Sequence, residues 1–308
     1  MGDDLAPAGG PRWVTLEGGS FISGSDDFYP DEAPARERTV AAFQLATTPV
    51  TNRQFATFVE ATGHLTVAER PLSEAEFPHL PAAERAPGSL VFTPTAGPVD
   101  LGDWRQWWRW VPGANWRHPR GTGEEARPDH PVVQVAYADA VAYARWAGGR
   151  LPTEDELEFA ACGGNRPAPY AWGEERDPRG VLMANTWRGR FPYLNEGANG
   201  WVGTSPVGAF PANGYGLFDT IGNVWEWTGD LYDGQPDPGG CACGADVAAL
   251  RAAAQEPTAT PSATRRVVKG GSHLCAPEYC LRYRPAARSP QSEDSATTHL
   301  GFRVARDA

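Results

Sequence analysis

This sequence predicts an α+β fold, irregular and loop-rich, with short helices and small antiparallel sheets in one domain over residues 1–308. Three observations carry that expectation. Hydrophobic stripes of helical period are short and lie only in the first half. Brief strands and turns follow, an order that segregates helices from sheet. Gly (35) and Pro (29) both exceed ordinary usage, which favours turns over long elements.

The elements follow in order. "WVTLEGGSFISGS" has a Gly-Gly turn between two short alternating runs, and "RTVAAFQLATTPV" is a further strand candidate. "TNRQFATFVEATG" switches to helical period through Phe55, Phe58 and Val59, with Thr51 or Asn52 to cap it and Gly63 to end it. Residues 64–130 read as irregular, and "HPVVQVAY" as a short buried strand. "YADAVAYARWAGG" is a second helix, with Ala140, Ala144 and Ala147 on one face. "LPTEDELEFAACGG" is a third, opened by a Thr153/Glu156 capping box. Past residue 165 no strong helix is expected, and "RVVKGGS" and "HLGFRVA" are the clearest strands. The small, polar stretch 239–264 reads as a flexible surface loop.

Composition excludes some functions. A net charge of −11 argues against nucleic acid as a partner. No apolar run approaches a membrane span, and the acidic N-terminus lacks a secretory signal, so no membrane partner is expected. Five scattered cysteines make no disulfide framework, which fits the cytoplasm.

Two of them, Cys275 and Cys280, lie in "CAPEYC". On a strand, residues five apart face opposite sides, and on a helix they stand about 140° apart. Only a bend brings both thiols together, and Pro277 favours one. Converging thiols could form a disulfide, a redox dithiol, or a soft-metal site for Cu(I). Zinc would need a second ligand pair, and Cys241 and Cys243 lie in the 239–264 stretch. Arg282, Arg284 and Arg288 follow at once; they could favour thiolates, but the spacing better suits a buried ion-pair ladder.

The segment "KGGSHLCAPEYCLRYRPAARSP" resembles the active-site segment of the formylglycine-generating enzymes, the sulfatase-modifying factors. "TNRQFATFVEATGHLT", "GANWRHPRG", "GGRLPTEDELEFAACGG", "YAWG", "NGYGLFDTIGNVWEWTGD" and "LGFRVA" extend the resemblance through most of the chain. It implies a C-type-lectin-like fold. It also implies a copper-dependent oxidase that converts the cysteine of a Cys-x-Pro-x-Arg motif, in an unfolded or nascent sulfatase, to Cα-formylglycine. O₂ is the oxidant, and an external reductant supplies two electrons. Cys275 and Cys280 would hold Cu(I), with Ser272 and Trp225 beside it as catalytic residues. Tyr279, His299, Trp110 and Ala68 would contact substrate. The reading requires the two sulfurs to meet where a peptide can reach them.

The resemblance also implies two Ca²⁺ sites. The first would use Asn185 and Asn199 side chains with the carbonyls of Thr186 and Trp201. The second would use Asp219 and Glu226 with the carbonyls of Gly222 and Val224. Asn199 replaces an aspartate of the family, which weakens the first site. Where secretory-pathway relatives have disulfides, this chain has Ala144, Val304 and Pro285, leaving Cys162 as a small buried hydrophobe. That supports a cytoplasmic, prokaryote-like member, and a monomer is expected. A family asparagine in the cleft is His299 here, and the carboxylate that meets the substrate arginine falls somewhere in 70–92. Two rivals share the scaffold: an iron-dependent sulfoxide synthase and a non-catalytic binding module.

Overall fold

The computed structural model describes residues 10–74, 81, 85–165, 168–234 and 264–308. The 239–264 loop, Cys241 and Cys243 lie outside them, apart from Thr264. Along the chain come β1 (Trp13–Leu16), β2 (Gly19–Ser23), β3 (Arg36–Val40), β4 (Phe43–Ala46) and α1 (Asn52–Thr62). Next are β5 (Gly88–Phe92), β6 (Trp108–Pro112), α2 (Tyr137–Trp146) and α3 (Glu154–Cys162). Beyond these, the described residues give β7 (Gly189–Arg190), β8 (Leu194–Asn195), β9 (Trp225–Leu231), β10 (Arg265–Lys269), β11 (Arg288–Ser292), β12 (Leu300–Gly301) and β13 (Ala305–Asp307), with a 3-10 turn at Pro178–Gly180. Three short helices beside small, mostly antiparallel sheets make the expected α+β, loop-rich architecture. No described helix is long and apolar enough to cross a membrane.

Local signals place the helices. Thr51 caps α1 and shares a capping box with Gln54, while Gly63 ends the helix in the left-handed region at φ 67°. The Thr153/Glu156 box opens α3 as its sequence requires.

Three strand expectations need correction. The runs flanking Gly18 and Gly19 are strands but not a hairpin, because β1 pairs with β4 and β2 with β3. "HPVVQVAY" is buried but is not a strand: the Val132 N–H donates to Val50 and the Gln134 N–H to Thr297, and Gln134 has φ 61°. "HLGFRVA" splits, with β12 lying parallel to β9 and β13 joining β4 in another sheet. Conversely, the tryptophan-rich stretch taken as irregular contributes β6, paired along its length with β5.

The site rests on the four-stranded sheet β11-β10-β9-β12. From β10 the chain leaves through Gly270 and Gly271 into the cysteine segment. Gly271 has φ 73°, and a Cβ there would stand 2.5 Å from the Arg282 carbonyl oxygen. That close crossing folds 272–282 back on itself. The central core then packs Trp225 and Trp227 of β9 with Cys275, Cys280 and Tyr283.

Candidate active site

The bend forms as two successive turns. The Cys275 N–H donates to the Ser272 carbonyl at 3.0 Å, and the Cys280 N–H to the Ala276 carbonyl at 2.6 Å. Pro277 sits in the second turn. Together they bring Cys280 Sγ within 3.4 Å of Cys275 Sγ, with no disulfide between them. The Ser272 N–H donates to Cys275 Sγ at 3.4 Å.

The sulfurs therefore meet, but they do not meet at a solvent-reachable spot. Both cysteines are 0% exposed. Tyr279 packs against the core cluster that holds them; its ring stacks on Phe191 (centroids 4.4 Å apart, planes 5° apart) and makes an edge contact with Trp107 at 5.5 Å. Pro277 and Glu278 are the exposed residues of the turn.

The other expected residues are placed unevenly. Trp225 shares the core cluster with both cysteines, and its indole Nε1 is buried without a hydrogen-bond partner. Ser272 Oγ accepts from the Leu274 N–H at 3.2 Å, which leaves its own O–H for another partner. Trp110 and Tyr279 pack on the adjoining aromatic cluster of Phe92, Trp107, Trp108, Trp187 and Phe191. His299 is buried against Trp108 at 4.9 Å, with Nδ1 2.9 Å from Thr297 Oγ1, and its carbonyl accepts from the Trp225 N–H. Ala68 belongs to neither cluster; it is buried in a 3-10 turn at Val67–Glu69 that packs on β5.

The arginines form an ion-pair ladder, not a thiol-activating set. Arg284 makes two bonds to Glu32, at 2.6 and 2.8 Å, and lies over the Phe28 ring. Arg282 pairs with Asp31 at 2.9 Å over Tyr29, and Arg288 pairs with Glu154 at 2.8 Å. The Tyr29 hydroxyl accepts the Leu281 N–H at 2.9 Å. Sequence reasoning missed Tyr29, Asp31 and Glu32, which lie some 250 positions from their partners. It also missed Glu278, whose Oε1 accepts the Phe191 N–H at 2.9 Å.

The calcium candidates differ in what they offer. Asn185 Oδ1 is buried and has no hydrogen-bond partner, while its Nδ2 donates to Gly203. An oxygen left so is what a hard cation takes. Thr186 is buried, Trp201 half-buried, and Asn199 exposed at φ 50°. In the second set Asp219 accepts from the Gly208 N–H at 2.7 Å and the Asn223 amide at 3.4 Å, and burial pushes its pKa up to about 6. Gly222 and Val224 flank Asn223 on the same loop. Glu226 is already engaged, both oxygens accepting from Arg303 at 2.6 and 2.7 Å. Among the described residues no three His, Cys, Asp or Glu side chains cluster as a metal site.

Two buried thiols side by side fit a soft ion with few ligands better than zinc, which takes four. The model of the sulfatase-modifying factor enzyme 1-like domain matches residues 5–308. The chain is 62% identical to a formylglycine-generating enzyme of Mycobacterium tuberculosis, over 96% of this chain and 97% of that one. It is 43% identical to a formylglycine-generating enzyme of Streptomyces coelicolor, over 98% and 92%. Among solved structures, PvdO from Pseudomonas aeruginosa covers 97% of the chain, and 95% of PvdO is covered, at a TM-score of 0.61 and 24% identity, a likeness of fold.

Proposed function

The chain belongs to the sulfatase-modifying factor enzyme family, and from that premise we propose that it oxidises the cysteine of a Cys-x-Pro-x-Arg motif in a sulfatase to Cα-formylglycine. The observation that carries this reading is the 3.4 Å approach of Cys275 Sγ and Cys280 Sγ. Cys275 and Cys280 would hold Cu(I), which when bound would supply one-electron chemistry and a means of engaging O₂. The net reaction takes R–CH₂–SH, O₂, two electrons and two protons to R–CHO, H₂S and H₂O. Substrate gives two of the four electrons that O₂ requires, and an external reductant gives the other two.

The chain's own residues do the rest. The family substrate is an extended polypeptide, and its thiol must reach the buried pair past Tyr279. The Trp225 indole N–H and the Ser272 O–H are buried donors with capacity to spare, suited to charge that develops on sulfur or oxygen. Trp110 and His299 wall the aromatic side of the approach. Ca²⁺ would have a structural role, held at Asn185 and at Asp219. We place the protein in the cytoplasm as a monomer, a reading that rests on its sparse, odd-numbered cysteines for the compartment alone.

The test is mass spectrometry of a Cys-x-Pro-x-Arg peptide after incubation with protein, Cu(I), a thiol reductant and air. An aldehyde product is expected, and Cys275→Ala or Cys280→Ala should abolish it. Undiminished product from either variant would exclude the pair from the reaction. No product from the native protein would leave a binding module.

A further inference from the structure

The thiol pair is sealed, yet the proposed reaction needs a visiting thiol at it. Something must move, and the two sides of the cysteine turn are not equally free to do so. Behind Cys280 the chain is fixed by the Leu281 bond to Tyr29 and by the buried pairs of Arg282 and Arg284 with Asp31 and Glu32. In front, Pro277 and Glu278 are exposed. There the turn is tied to the 187–195 segment by the Cys275 carbonyl, which accepts the Trp187 N–H at 3.0 Å, and further out by the Tyr279–Phe191 stack and by Glu278 Oε1, which accepts the Phe191 N–H.

We propose that Glu278 is a positioning residue: its carboxylate latches the Pro277–Tyr279 cover onto Phe191 and sets how often the thiol pair opens to substrate. The bond and the stack act on the same neighbour. Releasing Glu278 frees the backbone beside Tyr279, so the aromatic cover can swing away while Cys280 keeps its rear anchorage. The proposal rests on the pair being the catalytic site, but its consequence for access can be measured without catalysis.

The experiment is alkylation of the metal-free native protein by iodoacetamide, with carbamidomethylation of Cys275 and Cys280 followed by mass spectrometry. When opening is fast and rare, the alkylation rate follows the population of the open form. Glu278→Ala should speed it about threefold to tenfold, the range one lost hydrogen bond allows. Glu278→Gln keeps an acceptor oxygen and should react at close to the native rate. Melting temperature should fall by no more than a few degrees in Glu278→Ala, because the closed state loses the same bond relative to the unfolded chain, and urea should affect the rate only weakly, as for a local opening. With peptide substrate, Glu278→Ala should lower KM more than it changes kcat. Three results would overturn the proposal: Glu278→Ala alkylating at the native rate, Glu278→Gln as fast as Glu278→Ala, or an alkylation rate that rises with urea as steeply as global unfolding does. If alkylation behaves as expected but no aldehyde forms, the latch stands and the catalytic reading fails.

Discussion

The cysteine turn has one side built to stay and one side able to yield. On the rear, Arg282 and Arg284 are almost completely buried and each finds a carboxylate. On the front, the cover ends in exposed residues and one charged acceptor. A buried ion pair costs desolvation and contributes stability only when its geometry is good, so such pairs mark places where one conformation is specified. An exposed latch costs little to open. The contrast suits a metal-binding pair that must keep its spacing while a substrate comes and goes.

Breaking the rear should have the largest effect. Glu32→Ala would leave Arg284 buried and without its carboxylate, retaining its bond to the Leu281 carbonyl. Removing one partner of such a pair costs about 3–5 kcal/mol. Thermal unfolding should show a large fall in melting temperature, and thiol alkylation should rise in step with it. A small fall would mean that the rear is as loose as the front, and the contrast would disappear.

Acid should act next. Burial holds His130 and His273 neutral, with pKa values pushed down to about 4. The unfolded chain takes up these protons near the ordinary histidine value of 6.5, while the folded chain resists until about 4. This stability is complete above 6.5 and is lost as pH falls toward 4, by roughly 3 kcal/mol for each histidine. Denaturant unfolding at pH 7 and pH 5 should show the decline, and His273→Phe should roughly halve it, leaving the part due to His130. A flat profile in the native protein would show that His273 does not tie the turn as its bonds to the Asn223 carbonyl indicate.

Much of this was legible because the signals were local. Thr51, Gly63 and the Thr153/Glu156 box fix helix ends from adjacent residues. Pro277 marks the bend, since no regular element could join thiols five apart. The arginine spacing announced buried pairs, but nothing near residue 282 names Asp31 or Glu32, which only the folded chain brings across. The β5–β6 pair was hidden because the run of tryptophans masks alternation: Trp108 is buried and Arg109 exposed. Burial of the sulfurs was equally out of reach, because the core around them is assembled from distant residues such as Trp225, Trp227 and Phe302. Glu226 was expected as a calcium ligand from its motif, and Arg303, which bonds both its oxygens, lies 77 positions away.

Calcium offers the finest test of the contrast. The Asn185 carbonyl accepts from the Asn223 N–H at 2.8 Å, and the Asn223 carbonyl accepts from both the backbone N–H and Nδ1 of His273. A cation on Asn185 Oδ1 would therefore stiffen the fixed entry to the turn, not its movable cover. At a hundredfold excess over its Kd, one bound ion adds about 2.7 kcal/mol, or about 5 °C in melting temperature for a chain of this size. Calcium added to metal-free protein should give that shift and leave alkylation of Cys275 and Cys280 nearly unchanged. Asn199→Asp should lower the calcium needed, because a carboxylate replaces an amide and aspartate tolerates the left-handed backbone at that position. No shift with calcium would remove the ion from Asn185. A shift accompanied by slowed alkylation would place the ion's effect on the cover, and front and rear would then be one mechanical unit.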